Sequence, residues 1–288
     1  MTTRWKLLSA CVISLALAAV GGAPNASAAR QPVLYGTTGA CNNAAPGGPC
    51  TQTSELVQLD PVTGLVTRDI GPVGFTVNGL AWDRKSRTLY ASTAIGDVAF
   101  HGLITINTRT GAGTPVDAAV HNFGLAGGDS PIHSIAIDRR GHMVAWYDEK
   151  PAPGVTDTFV TIDQHSGVAT EFVNTGIDTS QNGLAFDEDN RLWNIDTSRR
   201  LTLGGPLVQS AFRLDPATGV PIRTVALTPP TPAALGDFNP ENGRYYGLNF
   251  TSFSNEPTFL VSVNMRTGAV TTLGQTLTGL HTLAFVKG

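Results

Sequence analysis

The sequence predicts an all-β fold, a five-bladed β-propeller with four strands in each blade. A turn of the form Asp/Asn-x-x-Thr/Ser-Gly recurs along the 288 residues, each time between two short apolar strands. The turns begin 47, 56, 52 and 49 residues apart. A period near 50 residues with about four short strands per unit is typical of a β-propeller. The turns begin at Asp60, Asn107, Asp163, Asp215 and Asn264.

The innermost strand of each blade is predicted from a pattern in which small residues flank a Leu or Ile and an aromatic or aliphatic residue follows. Small side chains suit these strands because the blades converge on the central axis. A second strand follows after a short turn, for example at residues 89–91 and 192–194. We expect the innermost strands at residues 78–83, 132–138, 182–187, 234–239 and 280–286.

The last blade is predicted to close the ring by joining the two ends of the chain. No second strand follows residues 280–286, but residues 33–36 match that strand and precede the first turn. Residues 33–38, 55–60 and 65–70 should therefore form the outer strands of the blade whose innermost strand is 280–286. Such closure removes open sheet edges.

The first 28 residues are predicted to be a signal peptide. Arg4 and Lys6 precede an apolar stretch at 7–20, and Ala26-Ser27-Ala28 forms a small-residue cleavage site. The apolar stretch is shorter than the roughly 20 residues that span a bilayer. We therefore expect one propeller domain at residues 29–288, located outside the cell or in the periplasm, with no membrane span in the mature chain.

Cleavage would leave two cysteines, Cys41 and Cys50, in a stretch rich in Asn, Pro and Gly. In an exported protein such a pair predicts a disulfide that closes one surface loop and contributes about 2–3 kcal/mol. The net charge is −3, and loss of Arg4 and Lys6 makes it −5. Because no basic run is visible, we expect no nucleic-acid partner.

The predicted links between strands divide the propeller into two faces. Links between the first and second strands and between the third and fourth strands are tight. The other links are long and irregular, and variation on one face of a rigid scaffold is typical of a binding surface. The alternative is that these loops merely tolerate insertion. The long links are residues 39–54, 94–101, 118–131, 149–157, 198–209 and 250–257.

Polar residues stand at the start of the innermost strands, at the end of the channel on the loop-rich face, which we call the mouth. Asp237 is a second unusual residue, because the other blades have alanine at its position. Burial of an unpaired carboxylate near the axis would be costly, so Asp237 requires a partner. The residues aligned at the start of the strands are Asn78, His133, Asn182, Ala234 and His281. We expect a ring at the mouth in which five side chains converge, those of Asn78, His133, Asn182, Asp237 and His281.

Two interpretations of these residues remain open. In the first, His133, Asp237 and His281 bind a divalent ion in the channel, and the two asparagines contribute directly or through water. Imidazole and carboxylate ligands favour zinc or a similar transition metal over calcium. In the second, the channel is polar and filled with ordered water, and Asp237 accepts hydrogen bonds from backbone amides.

The strings Leu56–Gly64 and Gly183–Asp187, the latter followed by Leu192-Trp193, resemble the repeats of secreted bacterial propellers, which are mostly uncharacterised. They are similar, more distantly, to NHL-repeat and gluconolactonase-like propellers. The latter resemblance implies a metal at the channel mouth, held by a glutamate, asparagines and an aspartate. Asn78, Asn182 and Asp237 match in type. No glutamate matches, and histidines stand at positions 133 and 281.

The function that we predict from the sequence is binding of a ligand or protein partner on the loop-rich face, without catalysis. The alternative is a metal-dependent hydrolase of lactones or esters, with a metal-bound water as nucleophile at the mouth. The sequence assigns no catalytic residue and does not decide between the two classes.

Overall fold

The computed structural model describes residues 31–39, 53–94, 97, 100–125, 132–147, 157–175, 183–196, 209–249 and 257–287. Within these ranges twenty strands form five four-stranded antiparallel sheets, which confirms the predicted fold. The signal-peptide region, Cys41, Cys50 and Asn182 lie outside the described residues.

Each sheet is one blade, with its innermost strand beside the central channel. From the innermost strand outward, blade 1 contains β20 (Leu280–Val286), β1 (Val33–Thr38), β2 (Glu55–Leu59) and β3 (Val66–Pro72). In the same order, blade 2 contains β4 (Val77–Asp83), β5 (Thr88–Thr93), β6 (Leu103–Ile106) and β7 (Gly113–Pro115). Blade 3 contains β8 (Ile132–Ile137), β9 (Met143–Tyr147), β10 (Thr158–Ile162) and β11 (Ala169–Asn174). Blade 4 contains β12 (Gly183–Phe186), β13 (Leu192–Asp196), β14 (Ser210–Leu214) and β15 (Pro221–Ala226). Blade 5 contains β16 (Ala234–Phe238), β17 (Tyr245–Asn249), β18 (Phe259–Asn264) and β19 (Ala269–Gln275).

The ring closes as predicted. Strand β1 pairs antiparallel with β20, with Leu34 opposite Phe285 and Tyr35 opposite Ala284. The innermost strands contact their neighbours all the way round, from β20 to β4, β8, β12, β16 and back to β20. The N-terminal strands therefore complete the blade that the C-terminal strand begins.

Large side chains fill the spaces between neighbouring blades. Between blades 3 and 4, Trp146 and Phe159 pack with Leu184 and Phe212. The rings of Trp146 and Phe159 meet edge to face with centroids 6.3 Å apart, a favoured aromatic geometry. Because one blade cannot bury its own apolar faces, the ring of blades provides the core.

The repeated turn is stabilised by its own side chains, as blade 4 shows. Asp215 Oδ1 accepts a hydrogen bond from the amide of Ala217 at 2.9 Å, and the amide of Gly219 donates to the carbonyl of Asp215 at 2.7 Å. The Asp or Asn side chain accepts an equivalent bond in the other four turns. Gly219 has a φ of +67°, which favours glycine.

The same glycine also touches the preceding blade. A Cβ added at Gly219 would lie 2.7 Å from Cβ of Phe159 in blade 3. The corresponding glycines face the preceding blade too, for example Gly111 against Gly71 and Gly268 against Ala226. The turn motif therefore joins neighbouring blades as well as reversing the chain.

Helical structure plays almost no part in the described ranges. One short 3-10 turn covers Asn122–Gly124. No helix in the described part of the chain is both long and apolar enough to cross a membrane.

Candidate functional site

Three predicted mouth residues occupy equivalent irregularities in the innermost strands. Val77 and Gly79 pair with consecutive residues of β5, so Asn78 is an inserted residue and forms a β-bulge. The same shift in register occurs at His133 in β8 and at His281 in β20. Bulges redirect side chains and occur frequently next to functional sites. In three blades, therefore, the residue at the mouth position is an inserted residue that does not follow the regular pairing of its strand.

The structure brings Asn78, His133 and His281 together, and we call them the mouth cluster. Asn78 Nδ2 lies 3.3 Å from His133 Nδ1, so the amide donates when Nδ1 carries no proton. Asn78 and His281 are buried, whereas His133 is half-buried. His133 is therefore the member that a ligand would reach first.

His281 is uncharged at neutral pH. Burial and, to a smaller extent, the neighbouring His133 lower the pKa of its imidazole to about 3, although a hydrogen bond with the backbone of Val77 opposes the shift. With the Asn78 amide, the buried part of the mouth cluster is polar and carries no charge.

The structure places Asp237 away from the mouth cluster. In β16 it lies opposite Tyr246, as Ala81 in β4 lies opposite Tyr90. This level is three residues along the innermost strand from the mouth position, which corresponds to about 10 Å. Repeat alignment thus predicted that Asp237 occupies the alanine position of the other blades. It did not show that the three-residue offset between this position and the start of the strand separates Asp237 from the mouth.

Asp237 finds its partners in the backbone near the axis. Oδ1 accepts from the amide of Phe238 at 2.7 Å, and Oδ2 accepts from the amide of Phe285 in blade 1 at 2.8 Å. The carboxylate therefore connects blade 5 to the blade that closes the ring.

Burial raises the pKa of the Asp237 carboxyl to about 6. The two amide hydrogen bonds and Arg84 oppose this shift, and Glu188 adds to it. Asp237 keeps some accessible surface because it faces the channel, yet protein surrounds it closely, so the desolvation cost dominates.

No metal-ligating group appears among the residues that the structure describes. In these ranges no three His, Cys, Asp or Glu side chains are placed to hold an ion, and this includes His133, Asp237 and His281. The first interpretation of the sequence, a zinc-like ion shared by these three residues, therefore gains no support. The observed contacts of Asp237 match the second interpretation, in which it accepts from backbone amides.

The channel has a small cavity at its other end, on the face with the tight turns. Its volume is about 40 Å³, and all five blades contribute to its walls. Asp237 lines it, with Arg84 and Arg139 among the residues towards the turns. A space of this size and polarity suits a few water molecules.

Comparisons with known proteins support the fold alone. No family model matches the chain, and no curated protein matches it. A chain in the crystal structure of a nidogen/laminin complex is 13% identical with a TM-score of 0.51, and the match covers 89% of this chain and 98% of that chain. The RS223 β-xylosidase is 11% identical with a TM-score of 0.53, and the match covers 71% of this chain and 79% of that chain. The chain is thus similar to propellers from a protein complex and from an enzyme.

Proposed function

We propose that this protein is an exported propeller that binds a ligand or partner at its loop-rich mouth and does not catalyse a reaction. The observation that carries the proposal is the mouth cluster, in which matching bulges from three blades bring Asn78, His133 and His281 together. A rigid ring that presents polar side chains at one end of its channel is typical of a recognition surface.

The chemistry of the mouth cluster favours a neutral, polar ligand. The Asn78 amide both donates and accepts hydrogen bonds, and the neutral ring of His281 has one donor and one acceptor. Since burial holds His281 uncharged, this part of the mouth offers no full charge to a carboxylate or an ammonium group. Hydroxyl and amide groups, such as those of saccharides, fit this arrangement best.

A metal-dependent hydrolase remains the second candidate because two imidazoles lie close together at the mouth. Such an enzyme needs a third ligand and an activated water. No described residue completes a set of three ligands, so the hydrolase ranks below the binding function. The fold does not separate the two classes, since propellers host both.

Saturation-transfer NMR with the mature protein tests the proposal. The probes are neutral mono- and disaccharides, with the corresponding uronic acids as charged counterparts. We expect saturable signals from neutral sugars, which are lost in Asn78→Ala and His133→Ala because each variant removes a hydrogen-bonding group from the mouth. His142→Ala is a matched control, because this histidine is 71% exposed and belongs to a tight turn on the opposite face.

Two results would overturn the proposal. One is binding that survives both mouth variants, which would place the ligand elsewhere. The other is the absence of binding by every probe in the panel, together with turnover of p-nitrophenyl acetate that disappears in His133→Ala. That second result would assign the protein to the hydrolases.

A further inference from the structure

Five basic side chains lie together on the tight-turn face, opposite the mouth. Three belong to the turn that joins β4 to β5 in blade 2, and two belong to the turn that joins β8 to β9 in blade 3. All five are exposed, and we call them the basic arc. The basic arc consists of Arg84, Lys85, Arg87, Arg139 and Arg140.

Contacts between the turns make the basic arc one continuous surface. Lys85 Nζ donates to the carbonyl of Arg140 at 3.3 Å, which connects blades 2 and 3. The amide of Arg139 donates to Asn190 Oδ1 of blade 4 at 2.9 Å. Since backbone groups take part in both contacts, the turns keep a fixed relative position.

Among the residues that the structure describes, three of the five cations of the basic arc lack a carboxylate partner. Lys85, Arg87 and Arg140 form no ion pair with another described residue. The acids of the same two turns accept hydrogen bonds from turn amides, Asp83 from Lys85 and Asp138 from Arg140, both at 2.8 Å. These two carboxylates and Glu188 keep their negative charges beside the five cations, so this surface carries a net charge of +2 in a chain whose net charge is −3.

A carboxylate of the protein already binds two arginines of the basic arc. Glu188, in the turn after β12 of blade 4, reaches Arg84 at 2.8 Å and Arg139 at 3.6 Å. One carboxylate is thus held by arginines from two blades. Lys85, Arg87 and Arg140 belong to the same two turns as these arginines and form no ion pair with a described residue, so further carboxylates would find partners on this surface.

We propose that the basic arc binds an acidic segment of a partner protein. Carboxylates of that segment pair with Lys85, Arg87 and Arg140 and continue the arrangement that Glu188 begins. The turns 84–88 and 139–142 contain no large apolar side chain and no Phe, Tyr or Trp. A membrane surface or a single-stranded nucleic acid would use such side chains for insertion or base stacking. This surface lies opposite the mouth, so it is independent of the proposed function.

Fluorescence anisotropy with the mature protein and a labelled decapeptide of glutamate residues tests this proposal. The triple variant Lys85→Gln, Arg87→Gln, Arg140→Gln removes the unpaired cations. We expect its affinity to fall about tenfold, because each exposed charge contact contributes only a small amount. Affinity should also fall with added salt. The matched control is Arg68→Gln, Arg223→Gln, Arg266→Gln, which loses the same charge from exposed positions outside the basic arc and should change affinity less than about twofold.

Each outcome decides the proposal. A selective loss in the first variant, with unchanged thermal midpoints for both variants, supports it. Equal losses in the two variants would show that net charge alone attracts the peptide. Undetectable binding of the peptide at low salt would also overturn the proposal. The proposal would also be overturned if the same residues bound phosphatidylserine vesicles or duplex DNA more strongly than they bind the peptide.

Discussion

Replacement of Gly219 by alanine tests whether the repeated turn joins neighbouring blades. Gly219 lies in the turn of blade 4, and its φ is +67°. A matched glycine, Gly243, lies in the turn between β16 and β17, where its φ is +65°. Each glycine amide donates to the carbonyl four residues earlier, at 2.7 Å for Gly219 and 2.9 Å for Gly243. The two sites therefore share a backbone conformation and differ in their surroundings.

The surroundings determine the expected difference in the free energy of unfolding. Alanine with a positive φ destabilises the folded state by about 1–2 kcal/mol. Alanine also leaves the unfolded chain fewer conformations than glycine does, which offsets part of this cost. A Cβ at Gly243 meets no atom within 4 Å, so Gly243→Ala should cost about 1 kcal/mol. A Cβ at Gly219 would lie 2.7 Å from Cβ and Cγ of Phe159, which is fully buried. Relief of that overlap adds about 1–3 kcal/mol.

Urea unfolding followed by tryptophan fluorescence measures both variants. We expect Gly219→Ala to unfold at a clearly lower urea concentration than Gly243→Ala, with an unchanged slope of the transition. Equal destabilisation by the two substitutions would show that only the φ matters and that the contact with blade 3 contributes nothing.

Three further predictions concern titration and the cysteines. The raised pKa of Asp237 means that its contribution to stability is largest at low pH and is lost as the pH rises through about 6. Between pH 5 and 8, urea unfolding should therefore show the wild type losing roughly 1 kcal/mol relative to Asp237→Asn, and a gain would contradict this. The lowered pKa of His281 acts in the opposite direction, because the unfolded imidazole binds a proton near its ordinary pKa and the folded one does so only at about 3. From pH 7 to 5 the wild type should lose about 2 kcal/mol relative to His281→Gln, and parallel pH profiles would contradict this. Mass spectrometry of a non-reduced digest should find Cys41 linked to Cys50, and two thiols open to alkylation would disprove the pairing.

The strands could be predicted because the signals that define them are local. The turn motif and the pattern of small residues lie within a few positions of each strand. The predicted residues 33–38 and 280–286 coincide with β1 and β20. The positive φ of Gly219 follows from the turn motif as well, but its contact with Phe159 depends on the way in which blades pack, which a single repeat does not reveal.

The geometry of the candidate site could be predicted only in part, because it depends on how each innermost strand pairs with its neighbour. The bulge at Asn78 or His133 is a shift in the pairing register with the neighbouring strand, and the residue types of the bulged strand do not indicate it. Repeat alignment groups Asp237 with the mouth because it identifies the blade and the position in the strand but not the distance in space between that position and the mouth. The basic arc is hard to recognise in the sequence because the arginines of blades 2 and 3 lie 55 residues apart, as Arg84 and Arg139 show.

Metal content and hydrolysis, measured on one preparation, show whether the mouth binds without catalysis. Mature wild-type protein and His133→Ala are analysed by mass spectrometry for bound metals and assayed with p-nitrophenyl acetate and δ-valerolactone. We expect no stoichiometric metal and identical background rates for the two proteins. One equivalent of bound metal in the wild type, lost together with hydrolysis in His133→Ala, would contradict the claim.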